Sequence, residues 1–191
     1  MSIFLLPELR YDRAPLLEYA LKQTNWNDNP IMPGVFSSQW GEQTESIDPV
    51  FREILDHFAN ALHSPDCKCP VKYGAPGCEC IDGCTPRIIG ACFMKIKPNW
   101  TLGEHTDPGR LAGVNCPITT SLKNGGIDVY DRGVVVSNVY TDCPYIMDTH
   151  SPHGAHNISP DEENIFLSLT FAKDIDFMKL VDWQLKGELL Q

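Results

Sequence analysis

Two short stretches hold the side chains best suited to chemistry. His105-Thr106-Asp107 sets an imidazole and a carboxylate two residues apart. Nearly fifty residues later, Asp148-Thr149-His150-Ser151-Pro152-His153-Gly154-Ala155-His156-Asn157 brings three more imidazoles. In extended backbone, residues i and i+2 point the same way, so His105 and Asp107 project into one space. One imidazole from a strand across that space would complete two histidines and a carboxylate on one face of a metal ion. Such a donor set holds Fe(II), leaves coordination positions open, and tolerates iron in more than one oxidation state. His-x-Asp alone is a short pattern, and Asp107-Pro108-Gly109 is equally a turn sequence. Its context strengthens it: the motif opens a run of short strands, and the His-rich stretch falls where a late strand should begin.

The elements that must position these groups are β-rich. Runs at 88–97, 113–119, 126–130, 134–140, 144–148 and 164–172 are rich in β-branched and aromatic residues, with Gly, Pro, Asn and Asp between them. That pattern predicts an all-β sandwich or barrel. The last run alternates: Ile165, Leu167, Leu169 and Phe171 share one face, and Phe166, Ser168 and Thr170 the other. Helices flank this β region. Leu16, Leu17, Tyr19, Ala20 and Leu21 follow Pro15 and predict a short one. Residues 25–49 read as loop, with one short strand at 35–40. Asp48 looks like an N-cap before Pro49, and Val50, Phe51, Ile54, Leu55, Phe58, Ala61 and Leu62 then recur at helical spacing up to His63. A closing helix is expected over 174–185, with Phe177, Leu180, Val181 and Trp183 as its apolar members.

A length of 191 residues suits one domain. The expected organisation is a helical support over 1–63, a Cys-rich insertion over 64–87, a β core over 88–173 and a C-terminal helix over 174–191. The chain has 25 acidic against 15 basic residues, a formal charge of −10. With no basic stripe to neutralise phosphates, a nucleic-acid partner is not expected. The longest apolar run, Ile88 to Met94, is far short of the ~20 residues a membrane helix needs. No basic-apolar-small pattern opens the chain, so the expectation is a cytoplasmic protein. Five of the eight cysteines, Cys67, Cys69, Cys78, Cys80 and Cys84, fall within one loop. A structural zinc ion held by four of them, disulfides between the pairs, and a plain reduced loop are all readings of that cluster. Cys92, Cys116 and Cys143 lie in strand-like contexts and read as small buried hydrophobes.

From Lys95 to Lys173 the chain resembles the 2-oxoglutarate and Fe(II)-dependent dioxygenases, in particular the small aspartyl/asparaginyl β-hydroxylase-like and prolyl-hydroxylase-like members. The residues that carry the resemblance are His105-Thr106-Asp107-Pro108-Gly109-Arg110, Val114-Asn115-Cys116-Pro117-Ile118, Tyr145-Ile146-Met147-Asp148-Thr149, Pro152-His153-Gly154-Ala155-His156-Asn157 and Ile165-Phe166-Leu167-Ser168-Leu169-Thr170-Phe171. The resemblance implies a double-stranded β-helix, the jelly roll also found in cupins, flanked by helices. It implies hydroxylation of an unactivated C–H bond coupled to decarboxylation of 2-oxoglutarate to succinate and CO2.

Carried over residue by residue, His105 and Asp107 match the proximal metal ligands and His153 the distal one. His156 and His150 are the alternatives; His156 is an odd step from His153 and belongs on the other face of a strand. Asn164 stands where the family usually has an Arg or Lys to grip the far carboxylate of 2-oxoglutarate. Arg110 is the expected substitute, ahead of Lys123 and Arg132, with hydroxyl help from Tyr145 or Tyr130. Asn115 and Asn157 are expected to orient ligands, or to serve as turn amides. The expected substrate is an amino acid, a peptide side chain or a small metabolite. Two other readings remain open: a metal-dependent cupin that does not use 2-oxoglutarate, such as an isomerase or a cosubstrate-free dioxygenase, and a zinc-stapled interaction module. Oligomeric state is not legible.

Overall fold

The computed structural model describes residues 2–23, 26–28, 35–40, 53, 55–58, 61, 88–119, 125–171, 175–187 and 189. Its strands are β1 (Ile3–Leu5), β2 (Asn27–Asp28), β3 (Val35–Trp40), β4 (Ile88–Ile96), β5 (Trp100–His105), β6 (Ala112–Pro117), β7 (Gly125–Asp131), β8 (Val134–Val139), β9 (Tyr145–Asp148), β10 (His153–Asn157) and β11 (Asn164–Phe171). Helix α1 spans Arg13–Leu21 and α2 Phe177–Leu185. One seven-stranded sheet runs β1-β9-β6-β11-β4-β3-β2, and a four-stranded sheet runs β5-β10-β7-β8. Every pairing is antiparallel. Strands β4 to β11 alternate between the two sheets except at the β7–β8 hairpin, which lies wholly in the small one, in the order of a jelly roll that the sequence led us to expect.

Alternation along β11 sorts the large sheet into two unlike faces. Leu167 lies opposite Phe93 and Cys116, and Leu169 opposite Ala91 and Val114. These are buried, and they form one cluster with Leu16 and Ala20 of α1, Leu55 and Phe58, and Phe177 and Leu180 of α2. On the other face Ser168 lies opposite Cys92 and Asn115, and Asn115 opposite Tyr145. The main core is therefore between the sheet and its helices. The face turned toward the small sheet is mixed: Asn115, Ser168 and Tyr145 share it with Cys92, Met94 and Phe166.

Helices α1 and α2 each start on an aspartate. Asp12 accepts from the Ala14 N–H at 3.0 Å, and Asp176 from the Lys179 N–H at 2.8 Å. Each satisfies a donor that a helix N-terminus leaves without an intrahelical partner. Helix α2 starts later than the expected residue 174, because its cap is Asp176, and Gly187 at φ 70° follows its C-cap. Helix α1 starts earlier than the run of leucines suggested, since Asp12 rather than Pro15 marks its boundary. Residues 53, 55–58 and 61 are helical, within the helix expected after Pro49. A two-residue turn joins β7 to β8, with positive φ at both Arg132 and Gly133, the twist a tight hairpin requires. Strands β1, β2, β5 and β10 were not among the expected runs. The Cys67–Cys84 cluster and Lys123 lie outside the described residues. No helix among the described residues is long and apolar enough to cross a membrane.

Candidate metal centre

Strand β10 pairs with both β5 and β7, and its register sets His153 directly opposite His105 on one side and Val129 on the other. A bulge interrupts the β5 side between those residues and the pair Ala155–Leu102. The chain leaves β5 at His105 and turns through Asp107-Pro108-Gly109-Arg110. That turn is pinned from across the barrel: Asp107 N–H donates to the Thr149 carbonyl at 2.8 Å, and the Thr149 hydroxyl to the Arg110 carbonyl at 2.7 Å. Thr149 is fully buried. It fixes Asp107 relative to strand β9 and the approach to His153.

The outcome is a convergence of His105, Asp107 and His153, with one donor atom from each within 4.8 Å of the others. His105 Nε2 is 3.8 Å from Asp107 Oδ1, and His153 Nε2 is 3.9 Å from Asp107 Oδ2. The two imidazole centroids are 4.4 Å apart. Each ring is oriented by its far nitrogen: His105 Nδ1 lies 2.9 Å from the Gly103 carbonyl and His153 Nδ1 2.8 Å from the Ser151 carbonyl. A carbonyl can only accept, so both Nδ1 atoms carry the proton and both Nε2 lone pairs face the carboxylate. This outer hydrogen bonding is the usual way a protein fixes the tautomer of a metal-binding histidine. Burial pushes the His153 pKa below its ordinary value, which keeps the ring neutral and able to ligate. Two imidazoles and one carboxylate on one side of a metal leave its other side open, and this donor set suits Fe(II).

Arg110 closes the back of the site. Its Nε and Nη2 both donate to Asp107 Oδ2, at 3.1 and 2.7 Å, and its Nη1 donates to Ser168 Oγ at 2.8 Å. Among the described residues it is the one cationic side chain in contact with the three converging groups. Behind it lies the stretch of the large sheet that carries Ser168 and Asn115. Asn115 is buried beside Tyr145, with a hydrogen bond between their side chains, and the Asn115 Oδ1 has no partner. Burial raises the Tyr145 phenol far above its usual range, so the hydroxyl stays protonated. Cys92, opposite Ser168, has its thiol pushed up to about 12 by burial. Cys116 is the small buried side chain the sequence suggested, whereas Cys92 and Cys143 are only half-buried.

The other sequence candidates are placed elsewhere. His156 lies on the reverse side of β10 from His153, and its Nδ1 is 3.0 Å from both Asp128 carboxylate oxygens. His150 is exposed, in a turn capped by Asp148. Asn157 turns away from the metal centre. Its amide donates to the carbonyls of Ile96 and Glu162 and its Oδ1 accepts from Ser159 N–H, which makes it a turn amide. Asn164 is buried at the start of β11, four residues before Ser168, and its Oδ1 also lacks a partner. Arg132 is 94% exposed on the hairpin tip and does not reach the centre. Sequence reasoning missed Thr149 and Ser168. The one signal for Ser168 was its place on the polar side of an alternating strand.

No family model and no curated protein matches the sequence. Solved structures do share its fold. The carbocyclase SnoK of nogalamycin biosynthesis, a non-haem α-ketoglutarate-dependent enzyme, aligns with a TM-score of 0.56 at 11% identity over 89% of this chain and 79% of its own. HygX from Streptomyces hygroscopicus, with nickel and 2-oxoglutarate bound, gives 0.54 at 9% over 90% and 82%. A prolyl-4-hydroxylase from Pseudomonas putida gives 0.52 at 12% over 84% and 85%. The fold is thus one used by 2-oxoglutarate and Fe(II) oxygenases, and a His-Asp-His centre lies in it.

Proposed function

We propose that this protein is an Fe(II)- and 2-oxoglutarate-dependent oxygenase that hydroxylates an amino acid, a peptide side chain or a small metabolite. One observation carries the reading: both histidine Nε2 atoms face the Asp107 carboxylate, each held there by an Nδ1–H bond to a backbone carbonyl. When bound, the iron and the oxo acid supply oxidation of a C–H bond coupled to decarboxylation of 2-oxoglutarate to succinate and CO2.

The side chains of this protein divide the work. His105, Asp107 and His153 hold the metal, and Thr149 fixes the turn that carries Asp107. Arg110 neutralises the Asp107 oxygen it touches and is the cation available for a carboxylate of the oxo acid. Ser168, Asn115 and Tyr145 line the neighbouring wall with uncharged polar groups. A buried carboxylate needs both a cation and hydrogen-bond donors, and Arg supplies the strongest of such contacts. Asn164 brings no charge, which leaves Arg110 as the anchor.

The test is an anaerobic titration of metal-free protein with Fe(II) and then 2-oxoglutarate, followed by visible absorption. A saturable iron-to-oxo-acid charge-transfer band, lost in His153→Ala, is the expected result. Stoichiometric iron binding with no such band would transfer the protein to metal-dependent cupins that do not use 2-oxoglutarate.

A further inference from the structure

The two histidines of the centre are oriented alike but held differently. Each Nδ1–H is bonded to the carbonyl two residues earlier, His105 to Gly103 at 2.9 Å and His153 to Ser151 at 2.8 Å. Gly103 lies inside β5, between two residues that pair with β10, so the strand itself aims its carbonyl. Ser151 lies in no strand, since β9 ends at Asp148 and β10 begins at His153. Its carbonyl has to be aimed by other contacts.

Asp148 supplies them. Its backbone N–H is bonded to the Ser2 carbonyl, and its side chain turns forward into the connection. Oδ1 accepts the His150 N–H at 3.0 Å and Oδ2 the Ser151 hydroxyl at 2.6 Å. The second bond has the short length of a charge-assisted O–H···O contact. Pro152 has no N–H and disfavours helical backbone at Ser151. Its carbonyl accepts the Tyr130 N–H at 3.0 Å, which ties the end of the connection to β7. Between these two anchors sits Thr149, whose carbonyl accepts the Asp107 N–H at 2.8 Å. A single carboxylate thus holds the turn that contacts both His153 and Asp107.

We propose that Asp148 is a positioning residue: by fixing the 149–152 turn, it sets the ring of His153 and the seat of Asp107 for a metal ion. The inference rests on His105, Asp107 and His153 being metal ligands. It gives Asp148 no contact with metal or substrate. The residue type matters, because a carboxylate accepts at both oxygens, whereas asparagine would turn an NH2 group toward one of the two donors.

Co(II) is the probe, since its visible bands report ligand geometry and its affinity is read by competition with a chelator dye, both without turnover. Asp148→Ala should weaken Co(II) binding by about 10–100-fold, the range for outer hydrogen-bond partners of metal ligands, and should shift the bands. Asp148→Asn should lose less affinity and still shift them. Asp12→Ala, which removes the aspartate cap of α1, should lower the melting temperature and leave Co(II) affinity and bands unchanged, so lost stability is told apart from lost positioning. An alanine variant with wild-type affinity and bands would overturn the inference and leave Asp148 a turn cap alone. If that variant does not fold, the same result in Asp148→Asn overturns it. His153→Ala should abolish tight Co(II) binding. Were it to bind Co(II) as the wild type does, the metal centre itself would be wrong, and the role of Asp148 with it.

Discussion

The two faces of the large sheet are built from the same strands and differ in nearly everything else. On the outer face Phe93, Val114, Leu167 and Leu169 are sealed under helices and have no polar partner to satisfy. On the inner face, one residue along in each strand, stand Cys92, Asn115, Ser168 and Tyr145, with a buried amide oxygen left unpaired. Burying apolar area drives folding, whereas an unpaired buried acceptor costs roughly 1–3 kcal/mol. The outer face thus supplies stability. The inner face gives some of it back.

Substitutions on the two faces should therefore separate stability from binding. The largest contrast pairs Phe93→Ala with His105→Ala. Phe93→Ala removes a fully buried ring and should cost about 3–5 kcal/mol in denaturant unfolding, without changing the metal affinity of molecules that remain folded. His105→Ala should leave the unfolding midpoint within a few degrees of the parent. It should cost more metal affinity than the roughly 10–100-fold typical of outer-shell partners, measured by competition with a chelator dye. If both variants lost stability equally, the division between the faces would be wrong. Next in size is Arg110→Met, which keeps the stem and deletes the charge. Loss of a charge-assisted pair of about 1.5–3 kcal/mol corresponds to roughly 10–100-fold weaker 2-oxoglutarate binding. Iron should still bind. Unchanged affinity for the oxo acid would remove Arg110 from the anchoring role.

The outer face was the more legible of the two. Alternation in Ile165-Phe166-Leu167-Ser168-Leu169 states its own periodicity, and that strand became the centre of the large sheet. Strands β5 and β10 gave no such signal. Trp-Thr-Leu-Gly-Glu-His and His-Gly-Ala-His-Asn are poor in β-branched residues, and they are strands because their neighbours pair with them. The candidate metal centre was legible only as far as local geometry reaches. His105 and Asp107 share a side by spacing, and His153 and His156 part company by parity. The contacts that hold the centre are long-range: Thr149 to Arg110 across 39 residues and Arg110 to Ser168 across 58. No residue type announces such a partner, so Thr149 looked like a turn residue and Ser168 like a polar interruption. Asn157 misled in the opposite way, since an amide beside a metal-binding strand suits a turn as well as a ligand.

Ser168→Ala tests the inner face more gently than Arg110→Met. It removes one neutral acceptor from a charged donor, about 1 kcal/mol, or roughly fivefold in 2-oxoglutarate affinity. It should leave iron affinity and the unfolding midpoint nearly unaltered. A loss as large as that of Arg110→Met would mean that the serine itself meets the oxo acid.

The smallest expected effect concerns protons. In the metal-free protein, burial holds the His153 pKa below its ordinary 6.5, with the neighbouring imidazole of His105 adding in the same direction and the Ser151 carbonyl and Asp107 opposing. The unfolded chain then binds more protons at this position than the folded one as pH falls through 6.5, so stability rises with pH across that window and declines below it. Metal-free wild type should therefore lose more of its melting temperature between neutral and mildly acidic pH than His153→Gln, which has no proton to take up. The difference should vanish above neutrality, where the imidazole is uncharged in both states. It should also shrink when a metal occupies the site, because a ligated Nε2 cannot be protonated without releasing the ion. Equal acid sensitivity in the two proteins would show His153 to be as hydrated as the exposed His150. The inner face would then be open to water at the point where the proposed chemistry most needs it closed.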